Sequence, residues 1–202
     1  MEKVLDILVS GVHDAKNQLF FAESVIASAE AEHSIALGEA RYAIEAAANR
    51  LSVALSAYRL LRHGAALAIT PTIVGDLCTE VALAQRSHLA GNGIALDIDC
   101  RVVDEWALDR DLVADMLNNA IQNAGRFARG GVRLSAAQAG EWLVLSVEDD
   151  GPGFSALPPR RGTGLLVAGR LAGLHARKTR HGSLHLSNGG ALGGACFTLR
   201  LP

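Results

Sequence analysis

From Leu5 to Ala29 the apolar residues fall on a strict three–four alternation: Leu5, Leu8, Val12, Ala15, Leu19, Ala22, Ile26 and Ala29. A second run repeats it through Leu37, Ala40, Ile44, Ala47, Leu51, Ala54, Tyr58 and Leu61. Such spacing puts every one of these side chains on a single stripe of a helix, and it is incompatible with a strand, whose sides alternate every second residue. No proline interrupts the first run, and its only glycine is Gly11. Residues 31–34 are left as the turn, with Ser34 as the expected N-cap of the second helix. Two helices of like length joined by a short turn make an antiparallel hairpin. One pair of helices cannot bury both seams, so a dimer that forms a four-helix bundle is the economical solution.

Composition agrees with close-packed helices. Half of the 202 residues are hydrophobic but only 4% are aromatic, so alanine, leucine and glycine carry the apolar content. The length is ample for a sizeable core. A net charge of -2 gives no global argument for nucleic acid or an anionic membrane surface. The acids in Met1–Asp6 argue against a secretory signal, and no apolar run approaches the roughly 18 residues of a membrane span. Cys78, Cys100 and Cys196 have no metal-type spacing and are expected to be small core residues in a reducing, cytoplasmic compartment.

Helical patterning ends at Arg62-His63-Gly64, and Ile69-Thr70-Pro71-Thr72 is a natural break because proline disfavours helix before it. The expected domains are therefore 1–66 and 67–202. The second alternates helix and strand signals: helix over 73–90, strand over 94–99, an irregular stretch over 104–109, and helix over 111–127. Paired strands follow at 132–135 and 143–147, then helix over 164–176 and final strands at 183–186 and 195–201. Helices on one face of a mixed or antiparallel sheet make an α+β sandwich.

Three stretches of this domain carry chemistry. The apolar run Leu143–Val147 ends in Glu148-Asp149-Asp150 and turns at once through Gly151-Pro152-Gly153, which brings a carboxylate and bare backbone to one place. That suits a base amino group, although it also describes an ordinary strand-ending turn. On the helix 111–127, Asn119 and Asn123 stand four apart with Arg126 three beyond. They are either surface polar residues or oxygen ligands for a hard cation with a cation for its phosphates. Gly162-Thr163-Gly164-Leu165 opens directly into a helix, whose free N–H groups can hold phosphate. In the first helix, His13-Asp14 is either a solvated pair or a histidine whose ring is oriented by a carboxylate. His181 and His185 form an H-x-x-x-H pair within strand-like residues, lack a third ligand nearby and are not expected to hold a metal.

In this order the motifs resemble those of a sensor histidine kinase core of the GHKL ATPase superfamily. His13–Leu19 is similar to the phosphoacceptor box, Asn119–Ala124 with Arg126-Phe127 to the N box, Asp149–Gly153 to the first glycine box and Gly162–Leu165 to the second. The tail fits too, through Leu174-His175 and Phe197–Pro202. The resemblance implies a phosphotransfer hairpin followed by a Bergerat-type ATP-binding sandwich. It implies that Asp149 recognises the adenine amino group beside Gly151 and Gly153, and that Asn123 coordinates Mg2+. Asn119 and Arg126 would lie by the phosphates, and Gly162, Thr163, Gly164 and Leu165 would shape the lid. His13 would attack the γ-phosphate, oriented by Asp14, and Asn17 would position a water for dephosphorylating the partner. The implied partners are a second copy of the chain and a response-regulator receiver domain; with no sensor segment recognised in these residues, the input is expected from a separate sensor protein or from a segment outside them. Asp150, next in line, is expected to face solvent.

The sequence departs from the family pattern in places. Gln18 replaces a proline, Leu166 stands where a third glycine is typical, residues 155–161 make a short lid, and no separate phenylalanine box is found. These departures keep two alternatives open: a phosphotransfer adaptor with a degenerate ATP domain, and a regulator phosphatase that uses Asn17.

Overall fold

The computed structural model describes residues 2–38, 40–41, 43–44, 47–48, 51, 67–157 and 163–202. For residues 2–10, His13, Lys16, Asn17, Ser87, Thr163, Gly164 and Leu166 it describes the backbone alone. The chain divides into two units, Met1–Arg62 and His63–Pro202.

In the first unit, helix α1 runs over Glu2–His33 without interruption, as the three–four alternation requires. The chain then reverses at Ser34, whose φ is 53°, and helix resumes at residue 38. Ser34 is therefore the left-handed turn residue and not the N-cap. The cap comes from the preceding helix: Glu30 Oε1 accepts the N–H of Leu37 at 2.6 Å, and Glu30 Oε2 accepts from Arg41 Nη1 at 3.3 Å. A carboxylate there meets the positive end of the second helix, a stronger acceptor than a hydroxyl. The later stripe residues Ala54, Tyr58 and Leu61 lie outside the described residues.

In the second unit, strand β1 (Thr70–Ile73) leads into helix α2 (Val74–Gly91). Strands β2 (Ala95–Cys100) and β3 (Glu105–Leu108) precede helix α3 (Arg110–Phe127), and β4 (Gly131–Ala139) and β5 (Trp142–Asp149) follow it. Helix α4 (Thr163–Leu174) leads to the short β6 (Ala176–Arg177) and β7 (Arg180–His181), then β8 (Ser183–Asn188) and β9 (Ala195–Leu201). The main sheet has the order β2-β4-β5-β9-β8, parallel between β2 and β4 and antiparallel elsewhere.

Period-two burial explains the sandwich. Val132, Leu134 and Ala136 of β4, Leu143, Leu145 and Val147 of β5, and Phe197, Leu199 and Leu201 of β9 are all buried. Against them α3 lays Leu112, Val113, Met116, Leu117, Ala120, Ile121 and Ala124. Helix α2 packs on β2 and β4, and α4 packs on β8 and β9. Each of the buried valine, leucine, isoleucine, methionine and phenylalanine side chains contributes about 1.5–3 kcal/mol relative to exposure. At Gly125 a Cβ would lie 2.3 Å from Leu89 Cδ2, so the bare glycine leaves room for the Leu89 side chain between α2 and α3. Residues 105–108, expected to be irregular, form an antiparallel ribbon with β1, where Thr72 pairs with Trp106. Four residues are too few for periodicity to declare a strand, and Trp106 is fixed by donating from Nε1 to the Pro202 carbonyl at 3.2 Å. Among the described residues no helix is long and apolar enough to cross a membrane.

Candidate nucleotide-binding site

The inward row of β5 continues in register from Leu143, Leu145 and Val147 to Asp149, which is 3% exposed. A strand whose buried face ends in a carboxylate leaves that charge at the rim of the core, where only hydrogen bonds can stabilise it. Asp149 Oδ1 accepts the N–H groups of Gly151 at 2.8 Å and Ala195 at 3.1 Å. Both bonds fall on the same oxygen, so Oδ2 is left to accept from an incoming donor.

Glycines make this approach feasible. A Cβ on Gly151 would sit 2.3 Å from the Phe127 carbonyl, and one on Gly194 would sit 2.3 Å from Asp149 Oδ1. Gly153 has φ +77°, open to glycine and costly for other residues. The turn between β8 and β9 thus closes behind the first glycine stretch. Glu148, on the opposite side of the strand, holds it there by accepting from the Ala191 N–H at 2.9 Å.

Asp150 does not face solvent as an idle charge. Its Oδ1 accepts the N–H groups of Arg129 at 2.7 Å and Gly130 at 3.2 Å, which pins the connection from α3 into β4. The Arg129 N–H is the main reason this carboxyl lies below the usual range, with burial opposing and the Gly130 and Gly131 backbone assisting. Carboxylates at the end of a strand attract the nearest free N–H groups, and the loop after α3 supplies two.

On α3 the asparagines divide between two duties. Asn118 Oδ1 accepts from Gln85 Nε2 of α2 at 2.9 Å, a packing role. Asn123 Nδ2 donates to Asn119 Oδ1 at 2.9 Å, so the two amides form one unit on a flank of the helix. Asn123 Oδ1 then has no protein donor among the described residues, which is what an oxygen ligand for a hard cation needs. Arg126 lies in the last turn of the same helix. Helix α4 starts at Thr163, directly after Gly162. Leu165 is half-buried on it, while Gly162 and the lid residues Pro158 to Arg161 lie outside the described residues.

In the other unit His13, Asp14 and Asn17 are all on α1. Asp14 is exposed. The His13 and Asn17 side chains lie outside what is described. His181 Nδ1 is within 3.3 Å of the Gly173 carbonyl, and no cluster of three metal-type side chains occurs among the described residues.

Residues 108–202 match the family model described as histidine kinase-, DNA gyrase B-, and HSP90-like ATPase. The matched stretch contains the α3 amides, Asp149 and the start of α4. Residues 108–202 form a histidine kinase-type ATP-binding domain.

The relatives of this ATP-binding domain agree. The two-component sensor PhoQ of Pseudomonas aeruginosa is 30% identical over 156 residues, covering 70% of this chain and 32% of its own. The signal transduction histidine-protein kinase AfsQ2 of Streptomyces coelicolor is 33% identical over 124 residues, covering 54% of this chain and 22% of its own. The chain spans about a third or less of these curated relatives. Among solved structures, the ATP binding domain of PrrB from Mycobacterium tuberculosis is similar at a TM-score of 0.54 and 26% identity, covering 67% of this chain and 97% of that one. Acinetobacter baumannii histidine kinase AdeS shares the fold at a TM-score of 0.59 and 17% identity, over 92% of this chain and 95% of that one.

Sequence reasoning missed Asn188 and Asp109, and it placed His175 in the tail pattern without a role. Asp109 just ahead of an amphipathic helix was a readable N-cap signal.

Proposed function

We propose that this chain is the catalytic core of a two-component protein-histidine kinase, which phosphorylates His13 from ATP and passes the phosphoryl group to an aspartate of a response-regulator receiver domain. The observation that carries the reading is the open Oδ2 of a buried Asp149, within a domain of the ATPase family. Asp149 accepts from the adenine amino group, and Gly151 and Gly153 let the backbone lie against the base. Asn123 Oδ1 would hold Mg2+, which when bound supplies charge neutralisation at the phosphates. Asn119 and Arg126 flank those phosphates, and Gly162, Thr163, Gly164 and Leu165 present the N–H groups at the start of α4 to them.

His13 then attacks the γ-phosphorus in line. A bond forms from its imidazole nitrogen, the bond to the bridging oxygen breaks, and ADP leaves while the ring proton passes to solvent. Asp14 favours the nucleophilic tautomer, and Asn17 positions the water that dephosphorylates the partner. Two copies of the first unit pair as a four-helix bundle.

Incubation with γ-labelled ATP and Mg2+ tests this. Acid-labile, base-stable label on the wild type, absent from His13→Gln and Asp149→Asn, is the expected result. Nucleotide binding without label would favour the phosphatase, and no binding would favour the adaptor.

A further inference from the structure

Asn188 is the last residue of β8 and is exposed, far in sequence from the nucleotide motifs. Its carboxamide reaches across to Phe154, the first residue after the first glycine stretch. Oδ1 accepts the Phe154 N–H at 2.7 Å, and Nδ2 donates to the Phe154 carbonyl at 2.9 Å. Both backbone groups of one residue are thus paired by one side chain, as a neighbouring strand would pair them. The same amide fills the space beside Gly153, where a Cβ would lie 2.7 Å from Asn188 Oδ1.

Among the described residues no other side chain hydrogen-bonds the Phe154 backbone. Asp149 holds Gly151, and Glu148 and Asp149 hold the turn behind it, but the backbone of 153 and 154 is fixed by Asn188. Asn188 is exposed and lies outside the core, so its loss is expected to show in the position of this backbone more than in global stability. What it does control is where the wall beside Asp149 ends.

We propose that Asn188 is a positioning residue for adenine: by clamping Phe154 it sets the backbone wall at Gly151–Phe154 against which Asp149 discriminates an adenine nucleotide from a guanine nucleotide. The inference rests on the ATP-binding reading. Two lost backbone hydrogen bonds translate to roughly tenfold in affinity.

The test measures dissociation constants of ATP and GTP for the full chain as wild type, Asn188→Ala and Asn188→Asp, together with urea unfolding without nucleotide. Asn188→Ala is expected to weaken ATP about tenfold and GTP much less, so that discrimination falls while the unfolding midpoint holds. Asn188→Asp, which keeps the acceptor for the Phe154 N–H, recovers part of the loss. Unchanged ATP affinity in Asn188→Ala, or equal loss of both nucleotides with a lowered midpoint, overturns the positioning role and leaves the ATP reading standing. A wild type that binds neither nucleotide overturns both.

Discussion

The ring of His175 accepts the backbone N–H of Asp109 through Nε2 at 3.2 Å, while its Nδ1 lies 3.2 Å from the Leu171 carbonyl. This assigns the proton to Nδ1 and a neutral ring. Asp109 in turn is the N-cap of α3: Oδ1 accepts from the Leu112 N–H at 3.2 Å and Oδ2 from the Ala68 N–H at 3.0 Å. One knot therefore joins the end of α4, the start of the asparagine-bearing α3 and the segment that leads into β1.

Asp109→Ala removes both acceptors. Loss of an N-cap costs about 0.5–2 kcal/mol, and the orphaned Ala68 N–H adds to it, so a decrease of about 2 kcal/mol is expected. Asp109→Asn has one amide oxygen where the carboxylate has two acceptors, so it keeps the bond to Leu112 or to Ala68 but not both, and it should lose less than Asp109→Ala. Urea unfolding of the two variants checks the difference.

Burial holds the His175 ring below the ordinary value of 6.5, against the opposing pull of the Leu171 carbonyl and the Asp109 carboxylate. Between that lowered value and 6.5 the unfolded chain binds more protons than the folded one, so this contribution to stability is complete above 6.5 and is lost as pH falls. His175→Gln should show a flatter stability profile than wild type between about pH 7.5 and 5.5. Parallel profiles would remove His175 as the source.

Asp149→Asn is a near-isosteric test of the nucleotide site. The amide oxygen can still accept from Gly151 and Ala195, while an amino group replaces Oδ2 and opposes the adenine donor. Nucleotide affinity should fall at least about tenfold, the worth of a hydrogen bond to a charged group, with the unfolding midpoint nearly unchanged. Titration with a fluorescent ATP analogue measures it.

Gly194→Ala places a methyl 2.3 Å from Asp149 Oδ1 and 2.5 Å from the Asp149 carbonyl. Neither atom can retreat, because the strand holds one and two N–H groups hold the other. A loss of about 1–3 kcal/mol is expected, with weakened nucleotide binding beside it. Gly193→Ala should also destabilise, through its φ of +88°, but without touching the carboxylate. Comparing nucleotide affinity at equal loss of stability separates the two.

Cys78 is fully buried on α2, and burial together with nearby Cys100 pushes its thiol up to about 12. It should resist iodoacetamide at pH 8 in the folded protein and react after unfolding, as mass spectrometry of the alkylated peptides would show.

Local pattern carried much of this architecture. The three–four alternation specifies α1, because helix formation depends on residues three and four apart, and alternation in β4, β5 and β9 specifies which side each strand buries. The order of Asn119, Asn123, Asp149 and Gly162 was enough to suggest an ATP site. Tertiary structure alone decided the partners. Asn188 meets Phe154 across 34 positions, Asp149 meets Ala195 across 46, and His175 meets Asp109 across 66. It also made Asp150 a clasp on Arg129, Glu30 the cap of the next helix, and 105–108 a strand. Those outcomes depend on which N–H groups the completed fold brings within about 3 Å of a given oxygen. No sequence period encodes that proximity, because it is set by how the helices close on the sheet.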